Sequence, residues 1–225
     1  MSVVGSVARH LMGRDVGHPL RVGVDGICGA GKSTFARELV ATISSLGGPA
    51  IHLDSDGFHH VRERRHRQGR GSARGYYEDA YDFDALADRV LRPLGPGGNR
   101  VHATRVHDLH TDDVVILDET ARAPRDAVVV FDATFIQRDQ LRSLWDEVIY
   151  LRAEESVATA RGVARDAAVL GGPEAARSAF ETRYMAACRL YLDEQVPAAQ
   201  ASIVLDNNDP SAPRLVRPSE LGPYE

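Results

Sequence analysis

Leu20-Arg21-Val22-Gly23-Val24-Asp25-Gly26-Ile27-Cys28-Gly29-Ala30-Gly31-Lys32-Ser33-Thr34 decides how this chain is read. An apolar, β-prone run over 20–24 leads into residues 26–33, which fit the pattern G-x-x-x-x-G-K-[ST], and a helical pattern over 34–46 follows. Strand, glycine-rich turn and helix together are the context in which this motif binds phosphate. The glycines permit a tight turn and let backbone N–H groups approach phosphate oxygens. The helix N-terminus adds partial positive charge at the same place. Gly26, Cys28, Gly29, Ala30, Gly31, Lys32, Ser33 and Thr34 are therefore expected to form a nucleotide-phosphate site. Lys32 would reach the β- and γ-phosphates and Ser33 would offer its hydroxyl to Mg2+. Lys32 is also the single lysine of the 225-residue chain. A planar guanidinium cannot take the place of a compact ammonium between phosphates.

Outward from this loop the chain alternates strand and helix patterns. Four more apolar runs, over 50–53, 127–131, 147–151 and 202–205, read as strands. Helical spacing recurs over 2–13, after Asp84 as N-cap (Leu86, Val90, Leu91, Leu94), and over 138–144, 156–170 and 174–195. Such alternation predicts a parallel sheet covered on both faces. The expected architecture is α/β: a three-layer sandwich with a mostly parallel five-stranded sheet, a small β-arm and a helical lid. One domain over 1–225 is expected, with a loop at 57–80, the arm at 100–117 (its second strand at 114–117), the lid at 153–182 and a proline-containing, partly loose tail at 207–225. Residues 61–79 are rich in arginine and glycine without apolar periodicity, either a solvated loop or part of an anionic-substrate site.

Composition narrows the classes. A hydrophobic fraction of 43% and a charged fraction of 26% are those of an ordinary globular domain. The net charge of −5 gives no electrostatic case for nucleic-acid binding. Neither Cys28 nor Cys188 belongs to a C-x-x-C pair, so no zinc site or disulfide framework is indicated, and a reducing cytoplasm is expected. No run approaches the length of a membrane span, so no membrane partner is expected.

A phosphate loop names a nucleotide, not a reaction. Asp54-Ser55-Asp56-Gly57 fits the short D-x-x-G pattern of switch GTPases, but no lysine follows the loop, so a guanine-reading N-K-x-D cannot exist here. No LSGGQ-like segment supports a transport ATPase. Asp56, just past the second strand, stands where open α/β sheets bind ligands. A carboxylate there can accept a hydroxyl proton or bind Mg2+. Asp132 follows the 127–131 strand as a second acid for the metal or its waters.

Asp56-Gly57-Phe58-His59 resembles the D-G-F or D-S-F-Y segment of the uridine kinase, phosphoribulokinase and bacterial pantothenate kinase group. Tyr77-Glu78-Asp79-Ala80-Tyr81-Asp82-Phe83 is similar to that group's H-P-D-A-F-D stretch, and Arg161-Gly162-Val163-Ala164-Arg165-Asp166 to its lid motif R-R-x-x-R-D. The resemblance is nearest to uridine kinase-like proteins. It implies an ATP- and Mg2+-dependent phosphotransferase acting on a hydroxyl of a small molecule, most readily a nucleoside. A pantothenate-like or phosphosugar acceptor, or a nucleotide-binding accessory protein without catalysis, stays open. It further implies Asp56 as base, Lys32, Arg161 and Arg165 around the transferred group, Ser33, Asp56 and Asp132 at the metal, and Phe58, His59, Tyr77, Tyr81 and Asp108 at the acceptor. A homo-oligomer is compatible with it. The chain departs from the group where Asp132-Ala133 replaces Glu-Gly and where residues 105–112 replace P-x-Y-D-F-x-x-H.

Overall fold

The computed structural model describes residues 2–115, 119–218 and 221. Its strands are β1 (Leu20–Asp25), β2 (Ala50–Asp54), β3 (Val101–Ala103), β4 (Thr120–Arg122), β5 (Val128–Asp132), β6 (Glu147–Arg152), β7 (Ile203–Asp206) and β8 (Arg214–Arg217). Six of them form one sheet in the order β2-β5-β1-β6-β7-β8. The first five of that order run parallel, as expected, and every residue of β1 and β5 is buried. Strands covered on both faces must be apolar throughout, which is why these read as continuous rather than alternating runs.

The chain leaves β1 for β2, returns to β5 beside β1, and then crosses to β6 on the other side of β1. That reversal puts the carboxyl end of β1 at the switch point where open α/β sheets form their crevice. Helix Val3–Met12, capped by the Ser2 hydroxyl, packs on helix Lys32–Ser45; helix Met185–Gln195 packs on Ala73–Asp79. Phe131, Phe135, Tyr191, Leu39 and Ile43 are among the fully buried side chains of the one core that joins these layers.

Several expectations need correction. The tail is not simply loose: β8 adds an antiparallel sixth strand to β7. The 61–79 stretch contains a helical turn, Arg62–Arg65, and a helix, Ala73–Asp79, whose first turn is closed by Ser72 Oγ accepting from Gly75 N at 2.9 Å. The helix after it begins at Phe83, not later, because Asp82 and not Asp84 is the N-cap: its Oδ1 accepts from Ala85 N at 2.9 Å. The arm pairs β3 with β4 rather than with 114–117. Val114 instead makes a single bridge to His107, and residues 116–117 lie outside the described residues. The long pattern over 174–195 is Pro173–Ala179, a π-helical turn Phe180–Tyr184, and Met185–Gln195.

Candidate active site

The turn after β1 has the backbone its glycines require. Gly29 has φ +79° and Gly31 φ +94°, both in the left-handed region. A Cβ on Gly29 would lie 2.1 Å from the Ala158 carbonyl oxygen, so the loop seats directly on helix Glu155–Leu170. Asn207, just past β7, donates from Nδ2 to the Ala30 carbonyl at 2.7 Å. Cys28 N donates to Cys188 Sγ at 3.4 Å. Beneath the loop, Asp25 is fully buried: it accepts from Gly26 N at 2.8 Å, Gln137 Nε2 at 2.7 Å and Tyr191 Oη at 2.6 Å. Burial pushes its carboxyl upward, against the pull of these bonds and of Lys32. The Lys32 ammonium bridges the carbonyls of Gly26 and Ile27 at 3.0 and 2.9 Å, which holds it across the mouth of the loop.

The acids gather next to it. Asp132 ends β5 in register with Val24 on one side and Asp54 on the other. It is buried, with Ser33 Oγ donating to Oδ2 at 2.5 Å and His52 Nε2 meeting Oδ1 at 2.6 Å. Asp56 lies on the short 3-10 turn Ser55–Phe58, started by Asp54 Oδ1 accepting from Asp56 N at 2.9 Å. Desolvation by the cleft walls first, then the charges of Asp54 and Asp132, push Asp56 above the usual carboxylate range, while Arg165 pulls it back. A hydroxyl and a carboxylate oxygen in contact are a hard donor pair that fits Mg2+, which takes few protein ligands and relies on phosphate and water for the rest. No cluster of three or more His, Cys, Asp or Glu side chains that could hold a metal ion occurs among the described residues.

A cleft of about 1230 Å³ runs over this edge of the sheet. It gathers Cys28, Gly29, Gly31, Lys32, Ser33, Thr34, Asp56, His59, Tyr81, Asp132 and Arg165 from the expected set. Gly26 and Ala30 form the buried floor of the loop. The His59 ring lies 4.5 Å from that of Tyr81, tilted by 39°, and leaves Nδ1 out of solvent without a partner. Burial first, then Arg65 and His107, push its imidazole down to about 3, so it is neutral.

Other expected residues lie elsewhere. Phe58 is fully buried, edge-on to Phe131, because its 3-10 turn rolls it inward. Tyr77 packs on Phe135 and Tyr191 under Arg138. Asp108 caps its own turn, accepting from His110 N and Thr111 N, and pairs with Arg105 at 2.9 Å. Arg161, although one turn from Arg165, points to the loop after β7 and donates to the carbonyls of Asn207, at 2.9 Å, and Asn208. Arg165 holds Asp166 through two bonds of 2.7 and 2.8 Å at the cleft.

Sequence reasoning missed His52, Asp25, Gln137, Tyr191 and Asn207. Only Asp25 carried a signal, as an acid at the end of an apolar strand. It also left Tyr76, Arg62 and Arg70, which line the cleft, without individual roles.

A glycine-rich turn at the switch point of a parallel sheet, with a lysine, a hydroxyl and two acids around it, is the arrangement of the P-loop proteins. The sequence model of the Phosphoribulokinase / Uridine kinase family matches residues 21–207, and the chain belongs to that family of small-molecule kinases. A uridine kinase of Leuconostoc citreum is 26% identical over 157 residues, covering 66% of this chain and 69% of that protein. Among solved structures, one described as a possible uridine kinase from Bacillus stearothermophilus superposes with a TM-score of 0.69 at 21% identity, covering 89% of this chain and 96% of the other. D-glycerate 3-kinase from Cryptococcus neoformans superposes with a TM-score of 0.51 at 17% identity, covering 85% and 86%. No helix among the described residues is long and apolar enough to cross a membrane.

Proposed function

We propose that the protein transfers the γ-phosphoryl group of ATP to a hydroxyl of a small molecule, with a uridine kinase-like nucleoside as one acceptor to test. The observation that carries this reading is the convergence of Lys32, Ser33, Asp56, Asp132 and Arg165 on one cleft. The loop amides and Lys32 would hold the donor phosphates. Ser33 and Asp132 would hold Mg2+, which would supply positive charge to offset that of the phosphates. Asp56 would take the proton of the acceptor hydroxyl, and its raised affinity for protons suits that role better than an unperturbed carboxylate. Arg165, swung from Asp166, would stabilise charge on the equatorial oxygens. Arg161 would position the lid by tying its helix to the Asn207–Asn208 backbone.

ADP release measured across nucleosides, pantothenate and phosphosugars tests the proposal. Turnover with at least one acceptor, and its loss in Asp56→Asn, is expected. ATP binding without turnover of any acceptor would favour the accessory-protein reading and overturn this one.

A further inference from the structure

The six arginines between His60 and Tyr76 left two readings open, and their side chains separate into groups. Arg67 is committed to the buried Asp79 at 2.6 Å, Arg74 to Glu194 at 2.7 Å and Arg65 to Asp112 at 2.8 Å. Arg62 and Arg70 line the cleft instead, and among the described residues neither guanidinium has a carboxylate in ion-pair contact. Arg183, on the π-helical turn Phe180–Tyr184, lines the same cleft. Its guanidinium lies 5.1 Å from the Tyr76 ring and 5.2 Å from the Tyr184 ring, and its Nε is out of solvent without a hydrogen-bond partner. Two aromatic faces fix the plane of that fork, and π turns recur at functional positions.

These cations converge. His66, which also lines the cleft, feels Arg183, Arg65, Arg70 and Arg62 together, and after burial they are what lowers its affinity for protons. On a chain of net charge −5, an unneutralised arginine cluster inside a cleft is a recognition surface for an anion. In the proposed mechanism the donor phosphates have other partners, the loop amides, Lys32 and Arg165.

We infer that Arg62, Arg70 and Arg183 form an anion subsite that selects acceptor alcohols carrying a phosphate or carboxylate group. The inference rests on the kinase reading above and specifies its acceptor. A neutral nucleoside leaves three guanidiniums in one cleft without a counter-charge. An anionic acceptor neutralises them through charge-assisted, two-pronged bonds that also fix its hydroxyl relative to Asp56.

The test uses matched neutral and anionic alcohols: panthenol against pantothenate, ribose against ribose 5-phosphate, and uridine as the neutral nucleoside. The anionic member of at least one pair is expected to show kcat/KM roughly tenfold higher or more, the worth of a hydrogen bond to a charged group. The pantothenate arm reports carboxylate and the ribose 5-phosphate arm phosphate. In Arg62→Gln/Arg70→Gln/Arg183→Gln the ratio is expected to fall toward one. Neutral members turned over as well as anionic ones, or a ratio unchanged in the variant, would overturn the subsite. So would a variant that loses affinity for a non-hydrolysable ATP analogue while the ratio persists, since the arginines would then serve the donor. Should no alcohol be turned over, the kinase reading fails separately. The same pairs are then compared by calorimetry on protein saturated with the analogue and Mg2+: roughly tenfold tighter anion binding, lost in the variant, upholds the subsite, and equal binding overturns it. Arg70→Gln alone, at an exposed loop position, repeats each measurement if the triple variant does not fold.

Discussion

Ser33 Oγ donates a 2.5 Å hydrogen bond to Asp132 Oδ2, joining the first turn of the helix after β1 to the end of β5. His52 occupies the other oxygen of the same carboxylate at 2.6 Å. Both oxygens of Asp132 are thus engaged, one by a hydroxyl and one by an imidazole nitrogen, and Ser33 and Asp132 together are the pair proposed to hold Mg2+. Asp132→Asn removes the charge and leaves the shape. Under the proposed mechanism, kcat/KM at fixed Mg2+ is expected to fall roughly 100-fold or more, the usual consequence of losing one preorganised electrostatic partner. The activity remaining should require more Mg2+. A Mg2+ titration of steady-state rates checks this; an unchanged Mg2+ requirement would remove Asp132 from the metal site.

Asp56 gives a prediction with opposite signs for activity and stability. Its folded-state affinity for protons is raised by desolvation, Asp54 and Asp132. A carboxylate raised in this way costs stability once ionised: the cost is absent below its unfolded value and grows as pH rises through the folded one. Asp56→Asn is therefore expected to raise Tm at pH 7, with the difference from the parent protein shrinking as pH falls toward 4. In the same variant kcat is expected to drop by roughly 100-fold or more, the lower end of what a positioned base contributes. Calorimetric melts at several pH values and single-turnover rates decide it. A variant that melts lower at pH 7, or keeps its rate, contradicts the assignment.

Cys28 reports on the same loop without needing an acceptor. Hydrogen bonding with Cys188 is the largest influence lowering its thiol to about 6, against desolvation, with Lys32, Tyr76 and Arg165 adding to it. The thiolate, which is the reactive form, should be half-populated near pH 6 rather than near 9. Alkylation by iodoacetamide, followed by mass spectrometry at Cys28, is expected to accelerate through pH 6 and level off by pH 8. Cys188→Ala should move that midpoint upward. Bound nucleotide should protect Cys28, which lines the cleft.

The Asp25 cluster sets a stability expectation. Tyr191 Oη donates to Asp25 at 2.6 Å and accepts from Gln137 N at 3.0 Å, all in the interior. Tyr191→Phe deletes one oxygen, takes from the Gln137 N–H its acceptor and removes one of the three hydrogen bonds to the buried Asp25 carboxylate. A loss of about 2–3 kcal/mol is expected, because unsatisfied buried partners cost more than the bond itself returns. Urea unfolding with an unchanged slope measures it.

What could be read in the sequence, and what could not, follows the range of the interactions. The phosphate turn and the five parallel strands were legible because their signals are local: a continuous apolar run, glycines at fixed spacing, a helix start. β8 was not, since four residues in a proline-containing tail carry no periodicity and pair only because β7 offers a free edge. Spacing put Arg161 and Arg165 on one helix face, yet one faces the cleft and the other the Asn207–Asn208 backbone, which depends on a loop 46 residues away. Tyr76 lines the cleft, while its neighbour Tyr77 turns into the core; sequence order alone does not say which side a short helix buries. Cys188 and Asn207 reach the phosphate turn from 160 and 177 residues away, and no motif announces either.

Gly29 shows how tightly the turn and the helix Glu155–Leu170 are coupled. It combines φ +79° with a backbone approach that leaves a Cβ 2.1 Å from the Ala158 carbonyl oxygen and 2.9 Å from its carbon. Neither neighbour is a flexible side-chain tip, so the strain of Gly29→Ala has to be relieved by moving the turn or the helix Glu155–Leu170. That helix carries Arg165 and is anchored by Arg161, so its displacement would reach the cleft from two directions. Gly29→Ala is therefore expected to lose nucleotide affinity by roughly tenfold or more, from strain on the order of 1–3 kcal/mol at one residue. Global stability should fall by a similar amount. Gly17→Ala is the control: it has the same left-handed φ of +79° but open space around it. It should show a comparable loss of stability and undiminished nucleotide binding. Equal binding losses in the two variants would mean that backbone strain alone, and not the contact with Ala158, governs the site.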